Sequence, residues 1–200
     1  MTTDTLTLPP LAKVNTSLMI CFAVYPNLIT EYTKPGWLRN RVVLAPTNAA
    51  VETLNYDLLS QLPSQERCYR SVDKVTGLDQ VTHFPTEFLN SQDPPGLPPH
   101  ELHLKVGCPV ILLRNLNAPI LCNGTRLVVK QMMDHVIEAQ IITGHGKNDT
   151  VFIPKIPLTP TDCPYPVQRM QFPLKLSFSM TINKAQGQSL KVVGLDLRIS

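Results

Sequence analysis

No two of the five cysteines (Cys21, Cys68, Cys108, Cys122 and Cys163) are spaced as C-x-x-C, and their number is odd. That argues against a disulfide framework and against a zinc site, and fits reduced thiols in a cytosolic or nuclear setting. His100 and His103 have a metal-compatible spacing, but they follow a proline-rich loop with only Glu101 beside them, so they read as surface residues and no metal is expected. No G-x-x-x-x-G-K-[ST] occurs, which leaves nothing to cradle the β- and γ-phosphates of a nucleotide. No apolar strand ends in Asp-Glu to hold Mg2+. A Ser/His/Asp set and a carboxylate pair are equally missing, which disfavours a small-molecule enzyme. The longest apolar run near the start, residues 17–24, is too short to cross a bilayer and lacks a basic leader. An intracellular protein, nuclear or cytoplasmic, is therefore expected. There is no sequence repeat.

What is present suffices for one ordinary domain or two small ones. The 200 residues are 43% hydrophobic, near the globular average, so a core can form. A net charge of +3 is too mild to announce a nucleic-acid partner by itself. Nineteen prolines are about twice the usual share, and their clusters at 94–99 and 154–166 mark loops and connections.

Met1–Pro10 is rich in threonine and proline and is expected to be unordered. Residues 17–28 fit a short helix or a strand equally well. Arg41–Ala45 is a continuous β-branched run that suits a parallel strand covered on both faces. Pro46-Thr47-Asn48 breaks it, with Asn48 a natural N-cap. Val51, Leu54, Leu58, Leu59 and Leu62 then recur at helical spacing, which predicts a helix to about Gln61. Residues 69–75 form a weaker strand candidate. Residues 82–100 read as a loop anchored by Phe84 and Phe88. Strands follow at 105–114, 125–130, 135–143 and 150–156, with turn chemistry at Asn123-Gly124 and at 144–147. Such a run of short strands predicts a small barrel or sandwich.

Near the end, Leu174, Leu176, Phe178 and Met180 alternate with Lys175, Ser177 and Ser179, which predicts a half-buried strand. A polar segment follows, and then the apolar run Val192, Val193, Leu195 and Leu197, a second strand. A strand opening into such a segment and a short helix gathers donors at one spot, a geometry that suits phosphate. An ordinary polar turn would share the pattern. In open α/β sheets ligands lie beyond the carboxyl ends of the strands, where Thr47, Asn48 and residues 181–187 would both sit.

Thr-Ile-Asn-Lys-Ala-Gln-Gly-Gln-Ser at 181–189 resembles motif V of superfamily-one DNA helicases, in the form found in the Pif family and its Helitron-transposon relatives. Val42–Asn48 resembles motif IV. Leu104–Leu116 with Cys122–Leu127 resembles the family segment between the two motifs, and Gln171-Phe172-Pro173-Leu174 leads into motif V as in the family. These pieces stand in family order over 24–197.

The resemblance implies an α/β fold: a partial RecA-like parallel sheet, domain 2A, with an inserted SH3-like β-barrel, subdomain 2B. It implies a lead over 1–35, 2A in two parts at 36–86 and 165–200, and 2B at 87–160. It implies that Thr47, Asn48, Thr181, Asn183 and Lys184 contact single-stranded DNA, and that Gln186, Gly187 and Gln188 lie nearer the nucleotide. Thr47 and Asn48 serve equally as simple helix caps. Asn183 departs from the histidine of other superfamily-one members and agrees with the Helitron-like branch, while Ala185 and Ser189 are mild departures. Arg114 and Asn115 read as turn residues and Arg126 as a barrel-surface residue. The intact family enzyme uses ATP and Mg2+ and a partner domain, 1A. This chain stops at Ser200, short of where the family places motif VI and its arginine finger, and is expected to bind neither ATP nor Mg2+ tightly, and to be inactive alone. The other readings are a non-catalytic module that binds nucleic acid or protein, and a decayed transposon or incomplete gene product.

Overall fold

The computed structural model describes residues 17–75, 85–160, 163, 167–186 and 188–197. Phe84 and Gly187, both singled out above, lie outside these, as do residues 1–16. In chain order the elements are α1 (Ser17–Val24), α2 (Leu28–Glu31), α3 (Pro35–Arg39), β1 (Arg41–Ala45), α4 (Asn48–Ser60), β2 (Glu66–Arg70), β3 (Val72–Val75) and α5 (Thr86–Ser91). Then come β4 (Glu101–Lys105), β5 (Pro109–Leu112), β6 (Arg126–Met132), β7 (Val136–Ile141), β8 (Thr150–Pro154), β9 (Ile156–Leu158), β10 (Val167–Gln171), β11 (Leu174–Leu176), β12 (Ser179–Thr181) and β13 (Val192–Leu195). A 3-10 turn, Ile182–Ala185, follows β12 directly.

Strand β1 is central in a parallel sheet of order β12-β1-β13. Its Val42, Val43 and Ala45 have no solvent exposure, as a β-branched run between two covered faces requires. Val43 and Ala45 join the main core with Cys21, Val24 and Tyr25 of the N-terminal segment and Leu54 and Leu58 of α4. Val42, Leu44 and Met180 form a smaller cluster on the other face, covered by Ala185 and Leu190. The ambiguous segment at 17–28 resolves as helix, because Cys21 and Val24, three positions apart, pack on the sheet. Gly194 makes that approach possible: a Cβ there would lie 2.6 Å from side-chain carbons of Ile20 and Val24.

Three antiparallel sheets complete the fold: β11-β5-β6-β7-β8, β3-β10-β9 and β2-β4. The expected barrel is not closed by hydrogen bonds among the described strands. The physical reason is edge occupancy. The free edge of β5 is taken by β11, which belongs to the returning segment, and β9 pairs with β10 instead of completing a ring. The single strand expected over 174–180 is correspondingly two strands. β11 runs in the antiparallel sheet, β12 in the parallel one, and Ser177-Phe178 crosses between them. Among the described residues no helix is long and apolar enough to cross a membrane.

Residues 85–100, read above as a loop, contain α5 and are pinned by a buried ion pair. Arg169, 1% exposed, donates from Nη2 to Asp73 Oδ2 at 2.6 Å and from Nε to Oδ1 at 3.0 Å. Its remaining N–H groups donate to the carbonyls of Leu89, Gln92 and Pro98. Ser71 donates to the same carboxylate at 2.7 Å. Phe88, expected as an anchor, is exposed, and Leu89 beside it is buried.

Two fully buried acids predict alkaline sensitivity. Burial pushes the Cys108 thiol up to about 12 and the Tyr25 phenol well above its usual value, with nearby Arg126 opposing the second shift. In the unfolded chain these groups ionise near 9.0 and 10.0. Above about pH 9 the folded state therefore holds more protons than the unfolded one, and stability falls as pH rises. Below that pH the contribution is fully present. The urea midpoint is expected to drop steadily from pH 9 to 12, and Tyr25→Phe to remove part of the slope above pH 10. A flat profile would contradict the assignment.

Candidate nucleic-acid interface

Parallel pairing decides where the two polar segments meet. Ala45, the last residue of β1, stands opposite Thr181, the last residue of β12. Both chains leave the sheet at the same edge, so Pro46-Thr47-Asn48 and the Ile182–Ala185 turn emerge side by side. Thr47, and not Asn48, is the N-cap of α4: its backbone is extended and its Oγ1 accepts from the Ala50 N–H at 3.3 Å. Proline at 46 fixes the chain just before the cap, and Asn48 occupies the first helical position.

The 3-10 turn is anchored by one small side chain. Ala185 packs against the cluster of Val42, Leu44 and Met180, while Asn183, Lys184 and Gln186 project into solvent. Thr181 is half-buried. Gln188 turns the other way, and its Nε2 donates to the carbonyl of Gly124 at 3.3 Å. Gly124 holds φ +91°, a conformation that suits glycine, so the hairpin turn before β6 meets the segment after β12. Thr47, Asn48, Asn183, Lys184 and Gln186 thus share one exposed rim, with Thr181 at its base and Gln188 on the side facing the antiparallel sheet.

Three residues not expected at the site fix its geometry. Asn55, 5% exposed on α4, donates from Nδ2 to Ser179 O at 3.2 Å and accepts from Ser179 N–H at 2.8 Å. Ser179 Oγ also donates to Val51 O. These bonds lock the helix that begins at Thr47 to the strand that ends at Thr181. The signal was available, because an amide stands within the apolar stripe of Val51, Leu54, Leu58 and Leu59.

Tyr25 donates from its hydroxyl to Phe178 O at 2.6 Å and to Arg41 O at 3.2 Å. Arg126, far from being a surface residue, has no exposure and donates to the carbonyls of Arg39, Arg41 and Ser177 at 3.1–3.2 Å. Burial pushes its guanidinium below the usual arginine value, partly offset by Tyr25. The crossover at 177–178 is thereby held from both sides, and β12 is aimed by it.

Chemically, the rim offers amides, hydroxyls and one ammonium, which suits phosphate contacts. Its fit to a nucleotide is incomplete. Lys184 is the rim's one cation among the described residues, Gln188 is engaged with Gly124, and no described loop wraps a polyphosphate.

Residues 87–132 match the family model of the DNA helicase Pif1 2B domain. A comparison with curated proteins gave no match. Among solved structures, the chain is similar to the Pif1 helicase of Candida albicans, with 26% identity and a TM-score of 0.58, over 78% of this chain and 38% of that one. It is also similar to Bacteroides Pif1 bound to single-stranded DNA, with 23% identity and a TM-score of 0.56, over 77% of this chain and 34% of that one. Bacteroides Pif1 with ADP-AlF3 and single-stranded DNA gives 23% identity and a TM-score of 0.57, over 86% and 38%. The chain thus spans well under half the length of these relatives. Residues 87–132 are thus similar to the Pif1 2B domain, and the chain shares its fold with part of the Candida albicans Pif1 helicase.

Proposed function

We propose that the chain contributes a single-stranded DNA groove and one wall of a nucleotide cleft to an ATP-dependent 5′-to-3′ DNA helicase, and that it is not catalytic alone. The observation that carries the reading is the register of Ala45 against Thr181, which brings the 46–48 turn and the 182–185 turn to one sheet edge. The structures of Bacteroides Pif1 with single-stranded DNA support the choice of ligand. In this reading Thr47, Asn48, Thr181, Asn183 and Lys184 bond the DNA backbone, and the segment of Gln186, Gly187 and Gln188 lies nearer the nucleotide. Residues 36–86 and 165–200 are the two parts of a 2A-type domain, with 87–160 as a 2B insertion of SH3-like type whose sheet stays open. ATP and Mg2+ are held mainly by a partner domain of 1A type, since this chain has neither the P-loop nor the acidic pair.

Binding rests on phosphate contacts and is largely independent of sequence, hence salt-sensitive. Lys184→Ala/Thr181→Ala should weaken binding of a labelled oligo-dT at least tenfold at low salt, since a hydrogen bond to a charged group contributes about 1.5–3 kcal/mol. The slope of log K against log salt should shrink by about 0.7 for the lost lysine contact on a single strand. The substituted residues lie on or beside an exposed turn, so the circular dichroism spectrum should not change. Unchanged affinity in anisotropy titrations would overturn the DNA assignment. Measurable ATP hydrolysis by the purified chain, insensitive to Lys184, would overturn the non-catalytic one.

A further inference from the structure

We infer that Cys68, Glu101 and His103 form a binding site for a thiophilic divalent cation of the zinc class, on the side of the molecule built by β2 and β4. The spacing rules that argued against zinc consider residues close in sequence, whereas strand pairing assembles this set. Cys68 stands directly opposite His103 in the antiparallel ladder, and Arg70 opposite Glu101. Alternation places Glu66, Cys68 and Arg70 of β2 on the same face as Glu101 and His103 of β4. One ligand atom from each of Cys68, Glu101 and His103 lies within 4.8 Å of the other two. A tetrahedral zinc ion at about 2.0–2.3 Å from sulfur, nitrogen and oxygen sets its ligands about 3.3–3.8 Å apart, within reach of small side-chain rotations.

Two of the three ligands are already oriented. Glu66 Oε1 lies 2.7 Å from His103 Nδ1, which leaves Nε2 turned toward Glu101 Oε2 at 3.9 Å. Arg70 Nε donates to the other oxygen of Glu101, Oε1, at 3.0 Å, so Oε2 stays available. Metal-bound histidines are characteristically held this way, with the second ring nitrogen on a carboxylate. Tyr56 of α4 packs its ring 5.5 Å from that of His103 and limits its rotation. A soft thiolate, an imidazole and a carboxylate select zinc or cobalt over magnesium or calcium, which prefer all-oxygen sets. Three protein ligands leave a fourth position open to water. Glu101, His103 and Tyr56 also line a cavity of about 300 Å³, so that position borders the cavity.

The test is titration of the full chain with Co2+, and then Zn2+ in competition, under a phosphine reductant. The wild-type protein is expected to take up one equivalent of Co2+ with a thiolate-to-cobalt charge-transfer band, and Zn2+ to displace it. Cys68→Ser should abolish the band, and Glu66→Gln should weaken affinity about tenfold by removing the charge that orients His103. Cys122→Ser, a cysteine elsewhere in the fold, should leave the band intact. Cys68 is exposed, so its serine variant is expected to keep the wild-type circular dichroism spectrum. Absence of a thiolate band in the wild type, or its persistence in Cys68→Ser, overturns the site.

Discussion

Asp73→Ala is expected to destabilise the fold by about 3–5 kcal/mol, the range for breaking a buried ion pair by removing one partner. The cause is what remains. Arg169 would keep its charge, 1% exposed, with no carboxylate to offset the lost hydration. Asp73→Asn should cost less, since an amide still accepts one bond from the guanidinium and one from Ser71. Removing both charges, as Asp73→Leu/Arg169→Leu, is often nearly neutral for an isolated pair. Here it should stay costly, because Arg169 also donates to the buried carbonyl of Pro98 and the part-buried one of Gln92, while Leu89 O keeps the Gln92 N–H. Each orphaned buried acceptor costs about 1–3 kcal/mol. Urea unfolding of the three variants checks the order. An Asp73→Ala effect below about 1 kcal/mol would show that the pair is not shielded from water as the structure has it.

The parts of this molecule legible in the sequence are those whose reasons are local. The β-branched run at 41–45 and the apolar spacing from Val51 to Leu59 state their structure in their own residues, and both elements formed within about a residue of expectation. Even the shared edge of the two polar turns followed, because parallel strands must leave a sheet in the same direction. What was not legible depends on partners far along the chain. The alternation from Leu174 to Met180 carries no sign that the strand changes sheets at Ser177-Phe178, since that switch is fixed by Arg126, Tyr25 and Asn55. The proline-rich stretch before His100 hides α5, because a six-residue helix is held by Arg169 from 80 residues away. A cysteine and a histidine 35 positions apart give no motif, although they are cross-strand neighbours. Arg126 was misread for the same reason, as an arginine at the head of a β-run resembles any outward-facing charge.

That arginine sets the other large expected effect. Arg126→Met should destabilise the protein by about 2–3 kcal/mol, as the buried carbonyl of Ser177 and the part-buried one of Arg39 lose this donor at about 1 kcal/mol or more apiece, while Arg41 O keeps the Tyr25 hydroxyl. Methionine roughly fills the volume and removes a costly buried charge, so the loss should stop short of unfolding the chain. Arg126→Lys tests the geometry against the charge. An ammonium is a compact donor and cannot span three carbonyls on two separate segments, so lysine should fare little better than methionine. The effect should also be local. Ser177 O is the acceptor on the crossover that aims β12, so amide exchange at Ser179–Thr181 should accelerate more than exchange in β7 and β8, which are held by their own ladder. If the rim is the DNA groove, oligo-dT affinity should fall in Arg126→Met although every proposed contact residue is intact, because the 182–185 turn loses its fixed direction. A variant within about 0.5 kcal/mol of wild type would place the join between the two sheets elsewhere, since substitutions away from such features typically fall within that range. Uniform acceleration of exchange would instead mean that Arg126 supports the core as a whole and does not specifically aim the strand.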